Sequence, residues 1–255
     1  MSKVGRVLGA SMLVLVLVRS SHGAEPASVE SPGWLIGAGY VSAPNPFGSG
    51  VDSNSTPIRL VGYIGERLTW LGPYLRYDVV TDSTVNLAAV IETRFEGIPE
   101  DVNQGPLAGI HARKPAIEAG ADVSYGRFIA SMRTDVSGRH DGYEFALAVQ
   151  ERRRLGEAWL LEGRIGAAWQ SAELTSHLYG VDATETGSGL DLYEPGSALN
   201  YEASLFASYQ ISRRWMALGS VAVRRLDDDI RASPIVDQEY EFGGFAGFTY
   251  QLGHR

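Results

Sequence analysis

The 255-residue chain contains no cysteine. That excludes a disulfide framework, thiolate metal sites and a lipoprotein anchored through a cysteine. Beyond the first 23 residues it also lacks any long apolar run. Gly, Glu or Arg breaks every later stretch within a few positions, so there is no place for a transmembrane helix of about 20 apolar residues. Basic stripes are missing too, and the net charge is -8, which argues against a nucleic-acid partner. No internal repeat with a period of about 20 to 50 residues stands out. The glycine-rich stretches "FGSG" (47–50) and "GSG" (187–189) lack the strand–loop–helix setting of a phosphate loop.

What is present begins with a leader. Lys3 and Arg6 precede the apolar run Met12 to Val18, and Ser21-His22-Gly23 supplies small residues before a cut after Gly23. This is the pattern of a secretory signal peptide. We therefore expect a leader at 1–23, a short N-terminal segment at 24–31, a folded body at 32–252 and a tail at 253–255.

The body is dominated by period two. In Ala158–Gln170, Trp159, Leu161, Ile165, Ala167 and Trp169 oppose Glu162, Arg164 and Gln170. In Gly142–Arg152, Tyr143, Phe145, Leu147 and Val149 oppose Glu144, Gln150 and Arg152. The same alternation runs through 85–95, 117–124, 201–211 and 241–252, and similar segments start near Trp34, Ile58, Trp70, Arg127 and Arg214. We count about eleven segments of roughly 9 to 13 residues, the length at which a tilted strand crosses a bilayer. Compact polar turns such as Gly65–Arg67 alternate with long polar loops at 43–55, 96–114, 171–196 and 227–238, as in an up-and-down meander.

A secreted sandwich or a lipocalin-like barrel would also alternate. Three features favour lipid instead. Trp and Tyr gather at strand ends, among them Trp34, Trp70, Tyr143, Trp159, Trp169, Tyr209, Trp215 and Tyr250, as membrane girdles do. The opposite face carries charges of both signs. A leader without a helical anchor leaves the outer membrane open to the chain, and a closed barrel pairs every backbone group there. The expected fold is an all-β, transmembrane, antiparallel up-and-down barrel of about 10–12 strands. In that register Arg76, Asp78, Glu92, Arg94, Glu118, Asp122, Arg127, Arg133, Glu144, Arg152, Glu162, Arg164, Glu202 and Arg224 face the lumen. A barrel of this size is narrow, and opposite charges inside it should pair, because unpaired buried charges are costly. An occluded interior follows as the expectation.

No residues form a catalytic or metal constellation that spacing alone can identify. The loop histidines His111, His140 and His177 read as solvated, without metal-ligand spacing. Ser137 near His140 and Ser176 beside His177 do not specify a triad, which is recognised by geometry. Asp227–Asp229 lacks the alternation of a calcium loop and reads as a solvated acidic stretch. We expect no cofactor, no metal and no enzymatic activity.

Several phrases carry a family resemblance. "SGRHDGYEF" (Ser137–Phe145), "LYGVDATE" (Leu178–Glu185), "YEPGSALNYEASL" (Tyr193–Leu205) and "RRLDDDIRASPIV" (Arg224–Val236) resemble the outer-membrane MipA/OmpV family. "GWLIGAGYVSAPNPFGS" (Gly33–Ser49) and "YIGERLTWLG" (Tyr63–Gly72) are similar to its opening strands. The final Phe248-x-Tyr250-x-Leu252 resembles the C-terminal strand read by the barrel insertion machinery, although the chain continues with Gly253-His254-Arg255. The resemblance implies an outer-membrane location in contact with lipid and lipopolysaccharide. It also implies a non-enzymatic scaffold for peptidoglycan-remodelling enzymes, a lytic transglycosylase and a penicillin-binding protein. A narrow small-solute channel and a surface adhesin or antigen are the alternatives.

Overall fold

The structure is a computed structural model that describes residues 32–42, 46–47, 56–82, 84–98, 107, 109–186 and 189–252. Strands β1 (Gly33–Ser42), β2 (Thr56–Ile64), β3 (Leu68–Leu71), β4 (Tyr74–Thr81), β5 (Val85–Arg94) and β6 (Ala116–Tyr125) form the first half. The second half is β7 (Phe128–Asp135), β8 (Tyr143–Leu155), β9 (Trp159–Gln170), β10 (Ala198–Gln210), β11 (Trp215–Arg225) and β12 (Tyr240–Leu252). Each pairs with its chain neighbour, and β12 returns to β1, closing an antiparallel barrel. Two short helices interrupt the loops: α1 (Ala172–Tyr179) after β9 and α2 (Asp228–Arg231) after β11.

The alternation sets which face is which. On β8, Tyr143, Phe145, Leu147 and Val149 point outward and are exposed, while Glu144, Ala146, Ala148 and Gln150 point inward and are buried. The same inversion holds around the ring, with Ile91, Ile117, Met132, Ile165, Leu205, Val221 and Phe242 all on the outside. In water so large an apolar surface would be a liability. Around a barrel it is the lipid-facing band. Aromatic pairs mark its two borders. Tyr143–Trp169 sits at one rim with ring centroids 5.4 Å apart. At the other stand Trp34–Tyr63 (5.4 Å), Trp159–Tyr209 (4.8 Å) and Trp215–Tyr250 (5.1 Å).

The strand count corrects one detail of the sequence reading. The single segment expected from Trp70 onward is two strands, because Leu71 pairs directly with Tyr74 across Gly72-Pro73. Gly72 has φ +56°, as the first central residue of a two-residue hairpin turn requires. Periodicity passes straight through so tight a turn, so the sequence alone merges the pair. With twelve strands, Gly33 and Leu252 lie on the rim that carries the short turns. The described residues of the long loops 95–115, 171–197 and 226–239 all lie on the opposite rim. In bacterial barrels short turns are periplasmic and long loops extracellular, so these loops form the outer mouth. Residues 1–31 and 253–255, assigned above to a leader, an N-terminal segment and a tail, lie outside the described residues.

β1 and β12 zip from Trp34↔Leu252 to Ser42↔Gly244. Their lumen side is nearly bare of side chains at Gly39 and Gly247, which stand opposite each other. The Phe245 ring lies across both: a Cβ at either glycine would come within 2.7 Å of it. Val41 and Phe245 pack there with Ile58, Leu60 and Leu218. The middle of the lumen wall at the seam is therefore apolar, whereas charged side chains line the lumen from β4 to β9 and the outer ends of β10 to β12.

Candidate functional site: an ion-paired lumen under a folded cap

The charged wall is built by strand register. Arg76 on β4 donates from Nε to Asp78 (2.8 Å) and from Nη1 to Asp122 on β6 (3.0 Å). Arg133 on β7, only 1% exposed, reaches Glu92 on β5 (2.8 Å) and Asp122 (2.9 Å). Arg152 on β8 pairs with Glu162 on β9 (2.6 Å). Arg164 faces inward on β9 at half burial, opposite Gln150 and Ser204.

A second tier lies at the outer end. Arg94 on β5 holds Glu118 (2.7 Å), Glu96 (2.7 Å) and Glu144 (3.2 Å). Arg224 on β11 holds Glu202 (2.8 Å), Glu96 (3.0 Å) and Glu241 (3.3 Å). β5 and β11 stand six strands apart in either direction round the ring. The Glu96 carboxylate therefore joins guanidiniums from opposite walls and crosses the lumen. Burial pushes its pKa up, but Arg224 and Arg94 outweigh that and hold it below the usual value. From Glu144 the chain of hydrogen bonds continues through Gln170 (3.1 Å) and Asn200 (3.2 Å) to the backbone N–H of Asp227 (2.9 Å).

Above this tier the outer loops fold into a small hydrophobic core. Leu174, Leu178 and Tyr179 of α1 pack with Ile98, Leu107 and Ile110 from the loop after β5, and with Leu226, Ile230 and Ile235 from the loop after β11. Polar ties lock the three loops together. Ser233 Oγ donates to the Tyr179 carbonyl (2.6 Å), and Tyr193 Oη donates to the Asp229 carbonyl (2.6 Å). Arg113 holds both oxygens of Glu185, at 2.7 and 3.0 Å. Asp227 caps α2 by accepting from the Asp229 N–H, and it also accepts from the Leu199 N–H, each at 2.9 Å.

Three sequence expectations change here. The long loops were read as polar. They instead carry the only large buried apolar cluster among the described residues, which the sequence hides because Leu174, Ile230 and Ile235 belong to short, separate segments rather than to one long periodic element. His140 is not solvated. Its side chain is fully buried, Nδ1 accepts from the Gly142 N–H (3.0 Å), and Nε2 lies 3.2 Å from Glu118. Arg127 does not enter the lumen: it sits in the β6–β7 turn with its guanidinium over the Phe128 ring, 5.8 Å from the centroid. Glu96, Glu241 and His140 were missed as members of the network. Only Glu241 left a signal, as an acid on the inward face of the last strand. Phe248, Tyr250 and Leu252 all point outward on β12.

His111, Asp182 and Glu185 come within 4.8 Å of one another. Glu185 already accepts from Arg113 and from the N–H groups of His111 and Asp182. A carboxylate so engaged is an internal tie rather than an open cation ligand.

His177 on α1 makes the cap sensitive to acid. Burial, reinforced by His140 and Arg113, lowers its pKa to about 4. An imidazole with a depressed folded pKa favours the fold when neutral. That contribution is whole above the unfolded value of about 6.5 and is lost as pH falls from there toward 4. Protection of the 171–197 loop from proteinase K on the refolded barrel is therefore expected to weaken between pH 6.5 and 4. His177→Gln should flatten that step, and a step unchanged in H177Q would refute the assignment.

The family profile described as MltA-interacting protein MipA matches residues 36–252. A protein of Escherichia coli K12 named MltA-interacting protein is 25% identical over 246 residues, covering 93% of this chain and 96% of that one. The outer membrane protein OmpV of Vibrio cholerae is 27% identical over 182 residues, 69% of this chain and 70% of its own. Among solved structures, an outer membrane channel from Pseudomonas putida F1 aligns with 90% of this chain and all of its own, at 9% identity and a TM-score of 0.43.

Proposed function

Since this chain belongs to the MltA-interacting protein MipA family and is an outer-membrane β-barrel, we propose that it is a non-enzymatic scaffold that holds peptidoglycan-remodelling enzymes, a lytic transglycosylase and a penicillin-binding protein, at the outer membrane. The supporting observation is the Glu96 crossing beneath the loop cap. A lumen bridged from wall to wall and covered by a hydrophobic core suits an anchored platform better than a conduit. The name of the Escherichia coli relative points to the first partner. The short turns face the periplasm, where such enzymes work.

The test is formaldehyde crosslinking of cells that express a tagged copy, followed by mass spectrometry of what co-purifies. A lytic transglycosylase enriched over an unrelated barrel is the expected result. A clean preparation of the barrel alone would sink the scaffold reading. The runner-up, a narrow channel, draws on the half-buried inward positions Ser204, Phe206 and Leu218 below the crossing. Planar-bilayer recording separates the two, and the scaffold reading expects no unitary conductance.

A further inference from the structure

Charge is distributed unevenly round the periplasmic rim. Three consecutive hairpins, β6–β7, β8–β9 and β10–β11, are adjacent in the barrel wall. They expose Arg127, Arg153, Arg154, Arg213 and Arg214 against only Glu151 and Glu157. The remaining hairpins, β2–β3 and β4–β5, expose Glu66, Arg67 and Asp82. An arc with a net positive charge thus occupies one side of the rim, in a chain whose overall charge is -8.

The orientation of these arginines is informative. Arg127 lies over the ring of Phe128, which faces outward. Arg214 donates from Nη1 to the hydroxyl of Tyr250 (2.9 Å), which is on the outward face of β12 and packs edge-on against Trp215. Arg153 occupies an outward position on β8 between Glu151 and Leu155, paired with Glu151 at 3.0 Å. The guanidiniums of Arg127 and Arg214 are thus held against the aromatic belt, at the height where phospholipid headgroups meet the barrel, and that of Arg153 stays exposed beside them. A planar guanidinium matches a phosphate through two parallel hydrogen bonds, and a belt tyrosine or tryptophan places it at the interface.

We propose that the β6–β11 arc is a binding surface for anionic phospholipid headgroups of the inner leaflet. Net-negative lipids are favoured over zwitterionic ones because no ammonium group opposes the arginines. The arc then fixes which side of the barrel gathers anionic lipid. The idea stands apart from the scaffold reading, since it requires no protein partner.

The experiment is native mass spectrometry of the refolded mature barrel, released from nanodiscs of equimolar phosphatidylglycerol and phosphatidylcholine. Wild type is expected to retain phosphatidylglycerol several-fold over phosphatidylcholine, and high salt should erode that preference. The triple variant R127Q/R213Q/R214Q should lose the preference, whereas R67Q, outside the arc, should keep it. All three changes are on exposed turns, and heat-modifiable gel mobility verifies folding. Equal retention of both lipids by wild type would overturn the proposal, as would a preference that survives in the triple variant or is lost equally in R67Q. Loss of crosslinked murein or enzyme in the triple variant, with lipid retention intact, would assign the arc to a periplasmic partner and overturn it likewise.

Discussion

Arg224→Met is expected to destabilise the barrel by about 3–5 kcal/mol, the usual penalty when one partner of a buried ion pair is removed. Arg224 is 2% exposed and serves Glu96, Glu202 and Glu241 together. Methionine fills much of the volume but leaves Glu202 and Glu241 without this cation and Glu96 with Arg94 alone. Urea unfolding of the refolded protein in detergent, followed by tryptophan fluorescence, measures the loss. Adding Glu241→Gln to the variant removes one of the stranded charges and should recover part of it, giving a coupling energy outside simple additivity. If R224M unfolds within about 0.5 kcal/mol of wild type, the range of ordinary surface changes, the network does not bear on stability.

Gly120→Val should block folding altogether. Gly120 faces the lumen between Glu118 and Asp122 on β6. A Cβ there would stand 1.8 Å from the Met132 carbonyl oxygen and 3.0 Å from Cδ of Arg133. The first obstacle is backbone of the adjoining strand, which cannot rotate aside as a side chain can, so the β6–β7 ladder has to break. Ordinary overpacking costs about 1–3 kcal/mol, and a clash with the ladder exceeds it. The expected readout is loss of the heat-modifiable band after refolding. Gly163→Ala is the matched control, because nothing lies within 4 Å of a Cβ at that position. A G120V protein that refolds to the wild-type mobility would contradict the geometry.

The transmembrane wall could be read from sequence because lipid and lumen impose opposite demands on alternate residues. Glu144 beside Phe145, or Arg164 beside Ile165, declares its face without any knowledge of neighbours. Parity assigns each charge a face, yet it does not say which acid meets which arginine. That depends on stagger: Arg94 reaches Glu144 past two intervening strands, a relation that no local pattern encodes. The cap was illegible for a related reason. Ile98, Leu178 and Ile235 belong to three loops and form a core only after the barrel has brought those loops together. His140 shows the same limit, since a histidine between Arg139 and Asp141 looks wet until Glu118 and His177 close over it. The phrases that carried the family resemblance, "LYGVDATE" and "RRLDDDIRASPIV", turn out to supply Tyr179, Glu185, Ile230 and Ile235 of that cap.

The pairing of β1 with β12 has a consequence for the order of assembly. Every other ladder joins strands adjacent in the chain and can form as soon as both exist. The seam joins residues 34–42 to residues 244–252, the longest loop closure in the molecule and the slowest kind of contact to make. Until it forms, the chain is an open sheet with two unsatisfied edges, each a template for pairing with another copy. A chain truncated before Tyr240 can build the first eleven strands and still never lose its edges, so the fate of the whole barrel rests on its final thirteen-residue strand.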